Sequence, residues 1–478
     1  MKFIIVFIAI FFCIESYATI WRVGPTRTHK YCSQVASLVQ NGDTVEIDFA
    51  TYINDSQVIW NKNNLHIIGV GGRPRLQAGS KISNDNVNGK GIFVISGSNV
   101  IIDNIEFANA SVVDNNGAGI RQEGPNLLVH HCKFTGNEMG ILCGAIANCT
   151  IIVEYSEFLN GGSATNPGYQ HNIYIGHSET FISRYNFSYN AIAEGHELKS
   201  RANNNFIIYN TIANYESEDS RNIDLPNGGT ALIIGNVIEQ GPNSANTNIL
   251  AFGKEGLTNT APHELWIVNN TFVNKKNKGS FVDINTGTRK LFLKNNILAG
   301  AKTGGLIIGT ASLMDTSNSI VTDDISTCGF VDAAKNDYHL SSNSPAIDAG
   351  TAIAANVEGF QLIPDKMYKD TCNFEIRIIN NSIDIGAYEF NSGSSINEIV
   401  ISKSFSIYPN PANDLININL TTVNQLQKVQ IYNSNGKLIK EESIINFGTI
   451  DISDIPVGQY IICLKNSGNK AIKLIKIQ

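Results

Sequence analysis

Short apolar strands recur between residues 100 and 300, each ending in a polar residue, one residue of any kind and a large apolar one: IIDNIEF, LLVHHCKF, TIIVEYSEF, FISRYNFS, FIIYNTI, LIIGNVI, LWIVNNTF and LFLKNNIL. Placing Phe107, Phe134, Phe158, Ser188, Ile212, Ile238, Phe272 and Ile297 in one slot gives a repeat of 24 to 34 residues, one coil of a solenoid. A second set lies between them: GIFVI, GIRQE, GILC, NIYIG, HELKS, NIDLP, NILAF and FVDIN. Two or three short strands per coil, with turns rich in Gly and Asn and no amphipathic helix between them, exclude βαβ crossovers and predict an all-β fold, a parallel β-helix. Asn suits such turns because it tolerates left-handed backbone, and stacked Asn side chains can bond from coil to coil.

An open solenoid end exposes core and strand edges, so a cap is expected. THKYCSQVASLVQNG predicts a helix within about 25–42, with Tyr31, Val35, Leu38 and Val39 on one face and Gly42 ending it. After Phe390 the pattern changes. NSGSS opens a linker over 391–403, and residues 404–478 alternate apolar and polar over short strands separated by turn signals, as in a small antiparallel sandwich.

Composition narrows the function. Thirty-five basic residues against 42 acidic give a net charge of −7, with no basic surplus to neutralise phosphates, so nucleic acid is not the expected partner. Lys2, the apolar run from Phe3 to Ile14 and the Ser16-x-Ala18 cleavage site predict a signal peptide over 1–18; Cys13 follows two phenylalanines, where a lipid-anchor signal needs a small residue. No other run is long enough to span a bilayer. Its removal leaves seven cysteines, an odd number; Cys132, Cys143 and Cys149, and Cys328 and Cys372, are either disulfide groups or buried thiols. No CxxC or Cys/His ligand spacing is present, so zinc is not expected from spacing.

Residues from about 20 to 390, by their repeat and N-terminal cap, resemble the right-handed parallel β-helix, or pectin-lyase-like, superfamily. SPAIDAG at 344–350 and DIGAYE at 384–389 resemble the closing segment of secreted β-helix proteins of the choice-of-anchor Q type, here about 320–390 of a domain running from 19 to 390. That resemblance makes Asp348, Asp384 and Glu389 turn and capping residues. YPNPANDLINI, IYNSNGKLI, GQYIICL and the basic end KLIKIQ make 404–478 similar to the C-terminal sorting domain of the type IX secretion system. It implies a Bacteroidetes-type protein that passes through the periplasm to the outside or the cell surface, with that secretion machinery as a partner.

The stretch EGHELKSRANNN, from Glu194, concentrates charge within one coil. Aligned coils stack His171-Asn172-Ile173-Tyr174, His196-Glu197-Leu198-Lys199 and Arg221-Asn222-Ile223-Asp224. With Ile173, Leu198 and Ile223 inward, Asn172, Glu197, Asn222 and Asn248 are expected in one outward column and Tyr174, Lys199 and Asp224 in the next, with Arg201 on the same face. The plain reading is a solvated polar face. The chemical reading is eliminative cleavage of a uronate polysaccharide: a cation neutralises the carboxylate, a base removes the adjacent proton and an acid protonates the leaving oxygen. Candidates for catalysis are Lys199, Arg221, Tyr174 and His196, and for substrate binding Arg201, His171 and Asp224.

ELKSRANNNFIIYNT also resembles the Glu-x-x-x-Lys-Ser region of chondroitinase-B and alginate-lyase β-helices. That resemblance implies a lysine base at Lys199, an assisting arginine at Arg221, and calcium held by Asn172, Glu197 and Asn222. An ordinary lysine, with pKa about 10.4, must drop by about 2 to 3 units to serve as base near neutrality, so Lys199 is alternatively a carboxylate clamp with Tyr174 or His196 moving the proton. Clustered aspartates of a polygalacturonase-like hydrolase are absent. A uronate C5-epimerase shares the proton abstraction, and a non-catalytic glycan-binding surface protein would use the same polar face.

Overall fold

The repeat closes into a solenoid of three parallel sheets. The computed structural model describes residues 18–391, apart from 80–81, 83–88 and 354, and residues 405–476 apart from short stretches of the C-terminal unit. The expected signal peptide and most of the expected linker lie outside the described residues. The chain divides into two compact units after Phe390.

Among the described residues the first unit stacks sheets of 12, 10 and 11 strands, each strand pairing in parallel with the equivalent strand one coil away. The expected slot runs unbroken in register through Phe107, Phe134, Phe158, Ser188, Ile212, Ile238 and Phe272. Its last member is Leu298, not Ile297, which pairs instead with Thr271. Inside, Phe107, Phe134 and Phe158 stack with centroids 5.3 and 4.6 Å apart. Trp60 is wholly buried against Phe93 and belongs to the core.

Asparagine stacking holds one corner. Asn186, Asn210, Asn236, Asn270 and Asn296 form a buried ladder in which each Nδ2 donates to the next Oδ1 at 2.9 to 3.1 Å. Each oxygen also accepts the main-chain N–H of the preceding rung, which satisfies polar groups that the turn would otherwise leave buried without partners. At the turn residue just before each rung, Tyr185, Tyr209, Gly235, Asn269 and Asn295 all have positive φ. Asn and Gly adopt that conformation most readily.

The expected N-terminal helix is instead one 3₁₀ turn, Cys32–Gln34, with further turns to Val39. Val35 and Val39 are buried as expected, but Tyr31 and Leu38 are 39% and 41% exposed. Side chains capture the backbone here: Asp55 accepts from the Ser33 main chain and hydroxyl, Gln34 from the Lys30 and Tyr31 N–H, and Asp43 from the Gln40 N–H. No helix among the described residues is long and apolar enough to cross a membrane.

The seven described cysteines are all unpaired, and Cys32, Cys132, Cys143, Cys149 and Cys328 are buried. The buried-thiol alternative therefore holds. The closing segment does more than end the solenoid: it runs back along its flank. Leu362, Phe360 and Phe374 pack on Tyr185, Phe206, Leu232 and Trp266, while Met367 and Tyr388 pack on Val237 and Val273. Asp348, Asp384 and Glu389 fasten it, Asp384 accepting the Asp348 and Phe390 N–H groups and Glu389 pairing with buried Arg377 at 2.7 Å. In the second unit, antiparallel sheets of three and four strands enclose a core that includes Ile416, Ile418, Val429, Ile431, Ile462 and Leu474.

Candidate active site

The 10-stranded sheet carries the charged stretch. Strands Ile173–Ile175, Leu198–Ser200 and Ile223–Leu225 pair so that Tyr174, Lys199 and Asp224 are direct neighbours across coils, the column expected from the repeat. The column continues to Leu142 below Tyr174. Leu142, Met139 and Ala118 form a small apolar cluster against Tyr174, which thus stands where an apolar patch meets the charged one.

Lys199 is held between two carboxylates. Its Nζ lies 3.1 Å from Asp224 Oδ2 and 2.8 Å from Glu255 Oε1. Glu255 also takes an Arg201 N–H at 2.7 Å. Arg201 donates Nε–H to the Tyr174 phenol oxygen at 2.8 Å and a further N–H to Asn227 at 2.8 Å. Burial works against ionisation of Glu255, but the Lys199 and Arg201 hydrogen bonds outweigh it and hold the carboxyl below the usual range. Two of the Lys199 N–H donors are thus committed to carboxylates, which clamp its side chain in place. A free general base would need its lone pair turned outward.

Glu255 and Asn227 are not among the candidates that the sequence suggested. Glu255 stands in the loop after strand Asn248–Phe252, which folds back over the preceding coils: its N–H donates to Pro226 O, and Asn259 donates to Ala202 O and Gly228 O. A loop that crosses coils leaves no trace in the repeat. The lone acidic residue of GKEG was the signal available.

His171 and His196 lie beneath this network, 2% and 6% exposed, with rings stacked 4.9 Å apart. Each Nδ1 accepts a main-chain N–H, from His196 and Arg221 respectively, at 3.0 Å. The proton of each neutral ring is therefore on Nε2. Burial first, then the neighbouring cations, push both imidazoles well below their ordinary pKa. The His196 Nε2 lies 3.5 Å from Asp224 Oδ2, so it orients that carboxylate. With its one lone pair spent on the backbone, His196 is not placed to accept a proton, contrary to its expected role.

Arg221 is the least satisfied cation of this cluster. Its nearest carboxylate contact is 3.8 Å, to Asp224 Oδ1, and its buried Nε–H has no acceptor among the described residues.

Asn172, Glu197 and Asn222 are not an outward column. They are buried at a corner of the coil, with exposures of 1%, 0% and 0%, and Asn248 is one residue out of line because Ile223 pairs with Leu250. The Glu197 oxygens accept from Ala191 N–H at 2.7 Å, Asn172 Nδ2 at 2.6 Å and Ser188 Oγ at 3.0 Å. Asn172 Oδ1 accepts from Gly161 N–H, so Asn222 Oδ1 is the one oxygen of the trio without a donor. Calcium needs six to eight oxygens at about 2.3–2.6 Å. This trio does not fit it. Burial, reinforced by Asp219, pushes the Glu197 carboxyl upward, which further opposes a cation there.

Residues 406–478 match the family model of the secretion system C-terminal sorting domain. No curated protein matches the sequence. Among solved structures the chain is similar to the crystal structure of pectate lyase Pel9A, with a TM-score of 0.52 and 15% identity over 79% of this chain and 97% of that one. At that identity the likeness carries the fold. The chain is an exported protein, secreted or held at the cell surface, built on a parallel β-helix similar in fold to that pectate lyase and carrying a type IX sorting domain.

Proposed function

We propose that the protein is a polysaccharide lyase that cleaves a uronic-acid-containing polysaccharide by β-elimination at the Tyr174–Lys199–Arg221 face. The observation that carries this reading is Arg221, a cation beside the cluster whose side chain is 20% exposed and whose nearest carboxylate is 3.8 Å away. A substrate carboxylate would pair with the exposed part of its guanidinium. Lys199 and Arg201, tied together by Glu255, fix the charge around that position. Tyr174 is the proton-transfer group: its oxygen accepts from Arg201, and its own hydroxyl proton has no acceptor among the described residues. In the step itself, the Tyr174 oxygen, as phenolate, takes the proton from the carbon beside the carboxylate, the electron pair of that C–H bond forms the ring double bond, the glycosidic C–O bond breaks, and Tyr174 passes the proton it has taken to the leaving oxygen. Arg201 would hold the negative charge on the Tyr174 oxygen while it is unprotonated.

The test is to incubate the protein with a panel of uronate polysaccharides, with and without chelator, and follow the ultraviolet absorbance of the unsaturated uronate product. Tyr174→Phe should lower turnover by about 10²–10⁴-fold while leaving binding intact, as expected for loss of a positioned acid–base group. Arg221→Ala should weaken both. A flat trace across the panel rejects the lyase.

The second reading, a non-catalytic glycan binder, is favoured by a different feature. A cavity of about 520 Å³ between the solenoid flank and the closing segment is lined by Phe187, Tyr215, Tyr338, Tyr368 and Tyr388 with Glu239. Aromatic rings with charged groups among them, here including Lys335, Asp337 and Asp370, suit a sugar face. Retained glycan binding with no product, lost on Tyr215→Ala, would identify this function.

A further inference from the structure

The 12-stranded sheet carries a second cluster of chemistry-bearing side chains, unrelated to the charged face. Strands Val100–Asp103, Leu127–His130 and Thr150–Glu154 pair so that Asp103, His130 and Glu154 are neighbours on three consecutive coils, and Arg184 follows on the next. His131 continues directly from His130 into the turn with φ of +50°. That left-handed conformation turns its ring back toward its neighbour.

Three donor atoms converge as a result. The His130 and His131 Nδ1 atoms are 2.9 Å apart, and Asp103 Oδ1 lies 3.2 Å from the first and 3.8 Å from the second. A tetrahedral ion with bonds of about 2.0–2.1 Å separates its ligand atoms by about 3.4 Å. The three observed separations bracket that edge. We propose that Asp103, His130 and His131 bind a divalent transition metal ion of the zinc class, through one carboxylate oxygen and two Nδ1 atoms, with the fourth position open to solvent.

The surroundings match what a metal-binding histidine requires. His130 turns its other ring nitrogen to Glu154 Oε1 at 3.5 Å, and Arg184 holds the second Glu154 oxygen at 2.5 Å. A carboxylate behind a ligating imidazole fixes its tautomer and ring angle. His131 is stacked on Tyr155 with centroids 4.9 Å apart and planes at 16°. The other Asp103 oxygen is 4.0 Å from His66 Nε2. The side chains of Asp103, His130 and His131 are 20%, 28% and 49% exposed, so an ion can enter. Ligand spacing along the chain hides this site because Asp103 and His130 belong to different coils. Only the coil register brings them together.

The test uses the full mature protein, prepared without a histidine tag and stripped with chelator, titrated with zinc by calorimetry and with cobalt by visible absorption. One equivalent of zinc should bind, and cobalt should give the intense bands of a tetrahedral site. Asn occupies equivalent turn positions at Asn104, Asn269 and Asn295, so His131→Asn keeps the backbone conformation and should fold. It should abolish the cobalt bands and lower zinc affinity at least 10-fold. Glu154→Gln should lower affinity by about 10–100-fold while keeping the bands. Absence of saturable binding, or zinc binding that His131→Asn leaves unchanged, overturns the proposal.

Discussion

Below the clamp, His171 and His196 are neutral rings locked to the backbone through Nδ1. Their folded-state pKa lies below the ordinary value of about 6.5, so the unfolded chain binds protons more tightly than the folded one. Their contribution to stability is complete above pH 6.5 and is lost as pH falls below it toward the folded values. Melting curves between pH 7.5 and 5.5 should show the β-helix transition falling with pH, and the double variant His171→Gln, His196→Gln should flatten that fall. Glu197 and Asp219, pushed upward by burial, act in the opposite sense, so the comparison is between variant and parent across the series. An unchanged slope would mean that these rings do not carry the dependence. At this scale alternation served well for Tyr174, Lys199 and Asp224, which sit mid-strand. It failed for Asn172, Glu197 and Asn222, which lie at a coil corner, where the chain turns and a period of two no longer decides which side is buried.

Between coils, the strands are fixed less by propensity than by what stacks at their turns. Asn236 shows the energetics: its Oδ1 accepts both the Asn210 main-chain N–H and the Asn210 side-chain amide. Asn236→Ala leaves the buried Asn210 main-chain N–H without its acceptor and the Ile207 carbonyl without the Asn236 amide donor, while the Asn210 amide keeps Ser183 O; at about 1–3 kcal/mol for each orphaned group the expected loss is about 2–6 kcal/mol. Chemical denaturation of the variant measures it. A loss below about 1 kcal/mol would mean that water or a backbone shift replaces the ladder. The ladder was legible because Asn recurs in one place in YNTI, GNVI, NNTF and NNIL. Nothing comparable marked the N-terminal turn: Val35 and Val39 have helical spacing, but Asp43 and Asp55 draw the backbone away, and those contacts come from residues outside the periodic stretch.

For the whole molecule, the solenoid with its flanking segment is one compact unit and the sorting domain another. Strands such as TALII and ELWIV are buried on both faces because the closing segment covers their outside. That cover was not legible in the sequence, because the segment from 330 to 390 has no repeat of its own and binds by irregular contacts such as Leu362 and Tyr209 to Asp365. Since the compact units divide after Phe390 and the C-terminal unit has its own core, removing 406–478 should leave the solenoid and its closing segment folded. The truncated protein should melt within about 1–2 °C of the parent transition, because surface changes away from a core cost little. Export should be lost, since the sorting domain is the part that the secretion machinery reads. Fractionating cells that express the truncated chain tests both halves: folded, protease-resistant protein retained in the periplasm is the expected result, whereas degradation there would mean the C-terminal unit also supports the solenoid, and normal release would mean that export relies on another signal.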